Sequence, residues 1–338
     1  MSAKPFISVI IVDYKINNPL LKECLDAVAS QSYQKFETIL LTDYPVKLKY
    51  KKLIKRSYGH YVGPAQKRDA GAKIAHGEIL AFLDEDAYPS KDWLKNIANA
   101  FKDGKVAAVG GPGATPPKSP WSEQLSGWFS ASPVGGGPFT YRFLPGKKME
   151  VDDYPSMNLS VRKEDFNKVG GFDSNYWPGE DTKLCLDLVH KQKKKIIYDP
   201  KVLVYHRRRP LLRPHLRQNG NYGVHRGYFA RILPETSFRI EYFGPSFLLL
   251  GIIYLLLYRL IGFNHPWLNL TYNVGLLALS LYLLLILFNA FWIFNKSESL
   301  IYGVASIPIT AITHIWYGLK FIQGFFSTRK IENSNQKY

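Results

Sequence analysis

The stretch GEILAFLDEDAYP, residues 77–89, decides how the rest of the chain is read. Residues 78–83 form a short, mostly apolar run, opened by Gly77 and stopped by an acidic turn, which is the pattern of a buried strand. That strand delivers Asp84, Glu85 and Asp86 to its carboxyl end. Side chains alternate along extended backbone, so Asp84 and Asp86 are expected on one side and Glu85 on the other. Two carboxylates held side by side repel each other unless a cation lies between them, and an oxygen-rich donor set favours a hard divalent ion such as Mg2+ or Mn2+. In open α/β sheets, ligands bind beyond the carboxyl ends of the strands.

Working outward, the flanks alternate strand and helix. Residues 6–12 read as a buried strand ending at Asp13 and Tyr14, and residues 36–42 as a second strand ending at Asp43. Between them, Asn17-Asn18-Pro19 starts a helix that buries Leu21, Cys24, Leu25 and Val28. Residues 47–56 read as a basic surface stretch, and Gly63-Pro64 opens a second helix, AQKRDAGAKIAHG. A third helix is expected over residues 92–102 and a further strand over 106–109. This alternation implies a mostly parallel sheet with right-handed crossovers, flanked by helices. Residues 113–153 are rich in Gly and Pro with interleaved aromatics, and read as a long irregular segment in which Asp152-Asp153 is a solvated turn. A strand over 156–161, a short helix over 164–169 and a loop, FDSNYWPG, lead to Glu180 and Asp181 at a helix start. Two short strands follow, and the second delivers His206.

The 338 residues leave room for about two units. The net charge of +17 points to an anionic partner: nucleic acid, a membrane surface or a phosphorylated substrate. Two cysteines on apolar helix faces read as small core residues and not as a disulfide framework. The short β-branched run near the N-terminus reads as a strand, not a signal peptide. No Gly-rich phosphate loop of a dinucleotide enzyme and no nucleic-acid recognition motif is present, so nucleic acid is not an expected partner.

Three features stand in one order: Asp84-Glu85-Asp86 at a strand end, Glu180-Asp181 at a helix start, and His206 at a strand end. Together with SVIIVDY, KRDAGAKIAHGE and NLSVRKEDFNKVGGFD, they make residues 5–209 resemble the inverting, metal-dependent family 2 glycosyltransferases of the GT-A fold. The chain departs from that pattern in having Asp13-Tyr14 where Thr-Tyr is common, and Asp43 then Tyr44 where a paired Asp is common. The resemblance implies that Asp84, Asp86 and His206 hold Mg2+ or Mn2+, with Asp84 also at the donor ribose. It implies that Asp13, Tyr14, Asp43, Lys67 and Arg68 line the nucleotide pocket. Asp181 is implied as the general base that deprotonates the acceptor hydroxyl, with Glu180 positioning or binding the acceptor. The implied partners are a nucleotide-sugar donor and a lipid-linked or glycan acceptor. Close variants are a polyprenyl-phosphate acceptor, already ionised, and a catalytically silent nucleotide-sugar-binding adaptor.

Beyond residue 209 the character changes. Residues 207–231 carry many Arg and no acids, threaded with Leu, Tyr and Phe, and residues 210–242 read as a basic amphipathic segment on anionic lipid. Residues 243–326 are dominated by Leu, Ile, Phe and Tyr, with spanning candidates over 245–263 and 268–294. Arg259 in the first is expected to snorkel. A third segment, 300–326, contains Pro308, His314 and Lys320, and reads either as a span or as an interfacial or re-entrant piece. Residues 327–338 read as a polar tail. The positive-inside rule places the basic N-terminal domain (residues 1–209) on the cytoplasmic side of the cell membrane.

Overall fold

The computed structural model describes residues 4–15, 17–262 and 265–327. The chain divides into two units: one of residues 1–116 and 141–207, the other of residues 117–140 and 208–338.

The first unit is built on an eight-stranded sheet. β1 (Ile7–Asp13), β2 (Phe36–Thr42), β3 (Leu53–Ser57) and β4 (Ile79–Asp84) are interleaved with α1 (Pro19–Ala29) and α2 (Pro64–Ile74). Next come β5 (Ala87–Pro89), α3 (Trp93–Ala100), β6 (Val106–Gly110) and β7 (Gly113–Ala114), after which α4 (Trp121–Ala131) leaves for the second unit. β8 (Met149–Val151), β9 (Asn158–Arg162), α5 (Lys163–Lys168), α6 (Glu180–Leu186), β10 (Lys195–Tyr198) and β11 (Val204–His206) complete it. The sheet order is β3-β2-β1-β4-β9-β6-β10-β8. β1 pairs in parallel with both β2 and β4, and β9 inserts antiparallel between β4 and β6.

The central strands are apolar on both faces because helices cover both. Ile7, Val9 and Ile11 point into a core with Leu21, Cys24, Leu25 and Val28 of α1 and Trp93, Leu94 and Ile97 of α3. Ile10 and Val12 point the other way, into a core with Ala65 and Ala72 of α2, Phe166 of α5, and Leu184 and Cys185 of α6. Each such aliphatic side chain contributes about 1.5–3 kcal/mol on burial, so this alternation holds the strand register. Asn18 caps α1: its side chain accepts from Leu20 N at 3.1 Å, with Pro19 in the first turn.

Two expectations for this unit change. Residues 53–57, overlapping the stretch 47–56 read as merely basic surface, are strand β3, paired in parallel with β2. Lys55 and Arg56 sit on an exposed edge, where charged side chains discourage pairing with other chains, so the strand carries no apolar alternation to announce it. Asp153 is buried and not a solvated turn: Arg142 donates to its carbonyl at 2.7 Å and Thr182 Oγ1 to its carboxylate at 3.0 Å.

A second, three-stranded sheet, β5-β11-β7, is small but decides the site. β11 runs antiparallel to β5, with His206 opposite Ala87, and Arg207 N donates to Asp86 O at 3.2 Å. The approach to β11 is fixed by Asn158 of β9, whose amide donates to both Gly111 O and Val202 O at 2.7 Å. The backbones approach so closely that a Cβ on residue 111 would lie 1.8 Å from Val202 O, so only glycine fits.

The second unit gathers α4 with α7 (Arg213–Ile232), α8 (Pro234–Ser237), α9 (Ile240–Ile261), α10 (Pro266–Ser297) and α11 (Leu300–Phe325). Residues 117–140 are thus not an irregular part of the first unit. Trp121 of α4 stacks on Tyr302, and Val134 N donates to Asn289 Oδ1 at 3.1 Å. Most of the basic segment is helix α7, followed by α8 and the start of α9, and the buried residues of α7 include His215, Gly220, Gly223 and Gly227. A Cβ at Gly227 would meet Phe321 O at 2.1 Å, and one at Gly324 would meet Val224 O at 1.9 Å, so α7 and α11 touch backbone to backbone. His215 joins three helices, with Ser126 Oγ 2.9 Å from Nδ1 and Thr313 Oγ1 3.0 Å from Nε2.

α9, α10 and α11 are each long and apolar enough to cross a membrane. α11 is one 26-residue helix with Pro308 inside it. Arg259 lies in the last turn of α9, which Gly262 ends at a φ of 71°, so its charge sits at a helix terminus. Phe263 and the basic residues Arg329, Lys330 and Lys337 lie outside the described residues.

Candidate active site

β1, β2 and β4 end side by side, which brings Asp13, Asp43 and Asp84 to one rim of the sheet. Lys67, on α2, is almost fully buried beneath it. Its ammonium donates to Asp43 Oδ1 at 2.7 Å and to the carbonyl of Asp13 at 2.9 Å. Lys67 therefore pins two strand ends together. Asp43 also accepts from Val62 N at 3.1 Å. Asp13 is buried, and its Oδ1 accepts from Lys15 N and from the Asn18 side chain, each at 3.1 Å. Among the described residues its buried Oδ2 has no hydrogen-bond partner, as suits an atom that meets a ligand. Tyr14 lies beside it, with the Lys15 ammonium 5.0 Å from its ring centre.

Alternation at the end of β4 turns out as expected. Asp84, Asp86 and His206 each offer a ligand atom, all within 4.8 Å of one another. His206 Nε2 lies 3.0 Å from Asp86 Oδ1, an arrangement that follows from the β5–β11 register. Two carboxylate oxygens and one imidazole nitrogen fit Mn2+ or Mg2+. Glu85 turns away to Lys15, with 3.3 Å between the charged atoms. Burial, followed by the neighbouring Asp86 and Asp84, raises the Glu85 pKa.

Arg68, the residue after the Lys67 pin, spends both arms inside the site. Nη2 donates to Asp84 Oδ1 and Nη1 to Glu180 Oε1, each at 2.9 Å. Glu180 is buried, and its second oxygen accepts from Gly179 N at 3.0 Å. Burial, and then Asp181, raise its pKa. Asp181 is more open. Its Oδ2 accepts from Ser156 N at 3.2 Å and its Oδ1 from Thr182 N at 2.8 Å. Ser156 leads into β9, which runs beside β4, so Asp181 stands on the same rim as Asp84. The Asp153–Thr182 hydrogen bond fixes the helix that carries Asp181. Sequence reading missed Asp153 because its partners lie far along the chain and an acidic pair in a Gly/Pro-rich stretch gives no signal of burial.

Asp69, next to Arg68, accepts from Phe172 N at 2.9 Å and so ties α2 to the loop before α6. Burial raises its pKa from 3.8 to about 6. The native state thus binds this proton more tightly than the unfolded chain does, and the ionised carboxylate costs stability above pH 6. That cost fades as pH falls from 6 towards 3.8. Asp69→Asn, whose amide oxygen still accepts from Phe172 N, is expected to raise Tm relative to the unaltered chain at about pH 7.5. The difference is expected to vanish near about pH 4, as read by thermal melts across that range.

Residues 8–170 match the family model described as Glycosyl transferase family 2. A pre-mycofactocin glycosyltransferase of Mycobacterium tuberculosis is 29% identical over 172 residues, 48% of this chain and 34% of that protein. The chain therefore spans about a third of that relative's length. A glucosyl-dolichyl phosphate glucuronosyltransferase of Haloferax volcanii is 21% identical over 223 residues, 60% of this chain and 69% of that protein. Among solved structures, a mannosyltransferase from Pyrobaculum calidifontis, in complex with GDP-Man and Mn2+, superposes with a TM-score of 0.55. It shares 16% identity, covering 96% of this chain and 88% of that one, so the likeness is one of fold. The α/β architecture with its mostly parallel sheet is the GT-A fold, followed by three helices able to span a membrane.

Proposed function

We propose, on the premise that residues 8–170 are a family 2 glycosyltransferase domain, that the protein moves a sugar from a nucleotide-diphosphate donor to a lipid-linked or glycan acceptor at the cytoplasmic face of a membrane. The observation that carries this reading is the meeting of Asp84, Asp86 and His206 within 4.8 Å on the rim where Asp181 also stands. The bound Mg2+ or Mn2+ supplies charge neutralisation for the diphosphate leaving group. Asp84, Asp86 and His206 hold that ion, and Asp84 also meets the ribose. Asp13 and Asp43, with Tyr14, line the nucleotide pocket. Lys67 acts there by fixing the ends of β1 and β2, since its ammonium is already held by Asp43 and Asp13. Asp181 takes the proton of the acceptor hydroxyl as that oxygen attacks the anomeric carbon from the face opposite the leaving diphosphate. A single displacement of this kind inverts the anomeric configuration. Glu180, bonded to Arg68, positions the helix start instead of touching the acceptor.

The helices from α9 onward favour a membrane setting, because exposed side chains such as Leu256, Leu260, Leu277 and Leu284 would otherwise face water. The Arg residues of α7 suit anionic lipid on the cytoplasmic side. The Haloferax relative is named for action on a dolichyl-phosphate-linked sugar, which favours a polyprenyl-linked acceptor. The test is a panel of nucleotide-sugars offered to the purified full chain with Mn2+ and polyprenyl-linked sugar acceptors. Transfer from one donor, lost on chelation and restored by Mn2+, supports the reading. Donor binding without transfer to any acceptor or to water would favour the silent adaptor, and no donor binding would end both.

A further inference from the structure

We propose that Arg68 is a positioning residue that couples divalent-ion binding at Asp84, Asp86 and His206 to the helix start carrying Asp181, through its simultaneous bonds to Asp84 and Glu180. The inference rests on the metal-dependent reading above and goes beyond it, because neither Arg68 nor Glu180 is an ion ligand in that reading.

Arg68 is buried, and its two outer nitrogens each lie 2.9 Å from a carboxylate oxygen, one on β4 and one on α6. A planar guanidinium can hold two acids in fixed directions, whereas an ammonium offers a single point of charge. Residues 68, 84 and 180 lie on three separate elements, so the bridge is a strut between the strand end and the α6 start. Asp84 carries one negative charge, to be divided between Arg68 and an ion held with Asp86 and His206. As the ion takes a larger share, Arg68 leans more on Glu180, and the residue after Glu180 is Asp181. Ion binding and the set of the α6 start are then linked, and the linkage is reciprocal: whatever loosens the Arg68–Glu180 bond changes ion affinity. If Glu180 stops accepting, Arg68 has only Asp84 to neutralise it and withholds that carboxylate from the ion.

The experiment measures Mn2+ binding to the full chain by the resonance signal of the free aquo ion, without donor or acceptor. Glu180→Gln, nearly isosteric, is expected to weaken Mn2+ binding on the order of fivefold or more. A field effect of the lost charge would act in the same direction, so the discriminating step is a double-mutant cycle with Arg68→Lys, which keeps the charge and removes the fork. In that background Glu180→Gln is expected to change Mn2+ affinity by less than about twofold. A second readout is Trp177, in the loop leading to Glu180. Its emission, obtained by difference from Trp177→Phe, is expected to shift on Mn2+ addition in the unaltered chain and not in Arg68→Lys. If melts show that Arg68→Lys does not fold, Glu180→Asp, which keeps the charge and shortens its reach, is compared with Glu180→Gln instead: the coupling expects both to weaken Mn2+ binding, and weakening by Glu180→Gln alone, as a field effect gives, overturns it. An equal effect of Glu180→Gln in both backgrounds, or none in the unaltered chain while Asp86→Asn abolishes binding, overturns the coupling and leaves the ion site standing. Failure of the unaltered chain to take up Mn2+ overturns the ion site, and the coupling with it.

Discussion

Asp181→Asn is expected to lower turnover roughly 10²- to 10⁴-fold, the usual contribution of a positioned general base, while donor and Mn2+ binding persist. The expectation follows from how Asp181 is held. Two backbone N–H groups, of Ser156 and Thr182, aim its carboxylate, and it is less buried than Glu180 beside it. The more deeply buried acid is already bonded to Arg68, so the more open Asp181 is the better placed of the two to meet an acceptor. The two N–H groups bond to separate carboxylate oxygens, and the amide nitrogen that replaces one of them cannot accept, so the variant also loses one local hydrogen bond. A small loss of Tm is therefore expected with the large loss of turnover. Single-turnover transfer with saturating donor separates the two effects. If an acceptor hydroxyl must be deprotonated, the chemical step slows even where donor occupancy is complete. If the acceptor is a polyprenyl phosphate, already ionised at neutral pH, turnover survives the substitution, and the role of Asp181 as base is lost with that result.

The residues that sequence reading found and those it missed divide along a physical line. β1, β2 and β4 were legible because their side chains are buried on both faces, which produces dense runs such as ISVIIVD. Asp84 and Asp86 were legible because alternation is local: backbone geometry alone puts them on one side. His206 was legible only as a strand-end residue, since its place beside Asp86 depends on the small β5-β11-β7 sheet, whose strands are two or three residues long. The Arg68–Glu180 bond spans 112 residues of sequence and leaves no pattern in either segment. β3 escaped because an exposed, charged edge looks like a loop. The stretch 117–140 misled for a different reason. Its Gly and Pro content reads as irregular coil, yet those glycines let the backbone turn tightly after α4, where a Cβ on Gly135 would lie 2.1 Å from Phe129 O. In α7, Gly220, Gly223 and Gly227 weaken a helix in isolation but permit close contact with α11, so tertiary packing overrides propensity.

The ion site makes the second large prediction. Asp86→Asn is expected to weaken Mn2+ binding by about 100-fold or more, since even partners behind a ligand are worth roughly 10- to 100-fold, and transfer is expected to fall with it at ordinary ion concentrations. Asp86 is the sharper choice over Asp84 because its carboxylate is buried, 3.0 Å from His206 Nε2, whereas Asp84 is partly neutralised by Arg68. Removing the charge of Asp86 leaves one carboxylate and one imidazole, a donor set that water must complete. Millimolar Mn2+ is then expected to recover part of the activity, because the substitution alters occupancy more than chemistry. Glu85→Gln is the internal control. It alters the acid one residue away, but Glu85 points to Lys15 on the other side of the strand. Mn2+ affinity there is expected to stay within a few-fold of the unaltered chain, the residue of a screened interaction at longer range. Equal losses in Asp86→Asn and Glu85→Gln would mean that the acidic turn attracts cations only as a diffuse negative field, and the directional site built by β4, β5 and β11 would have to be abandoned.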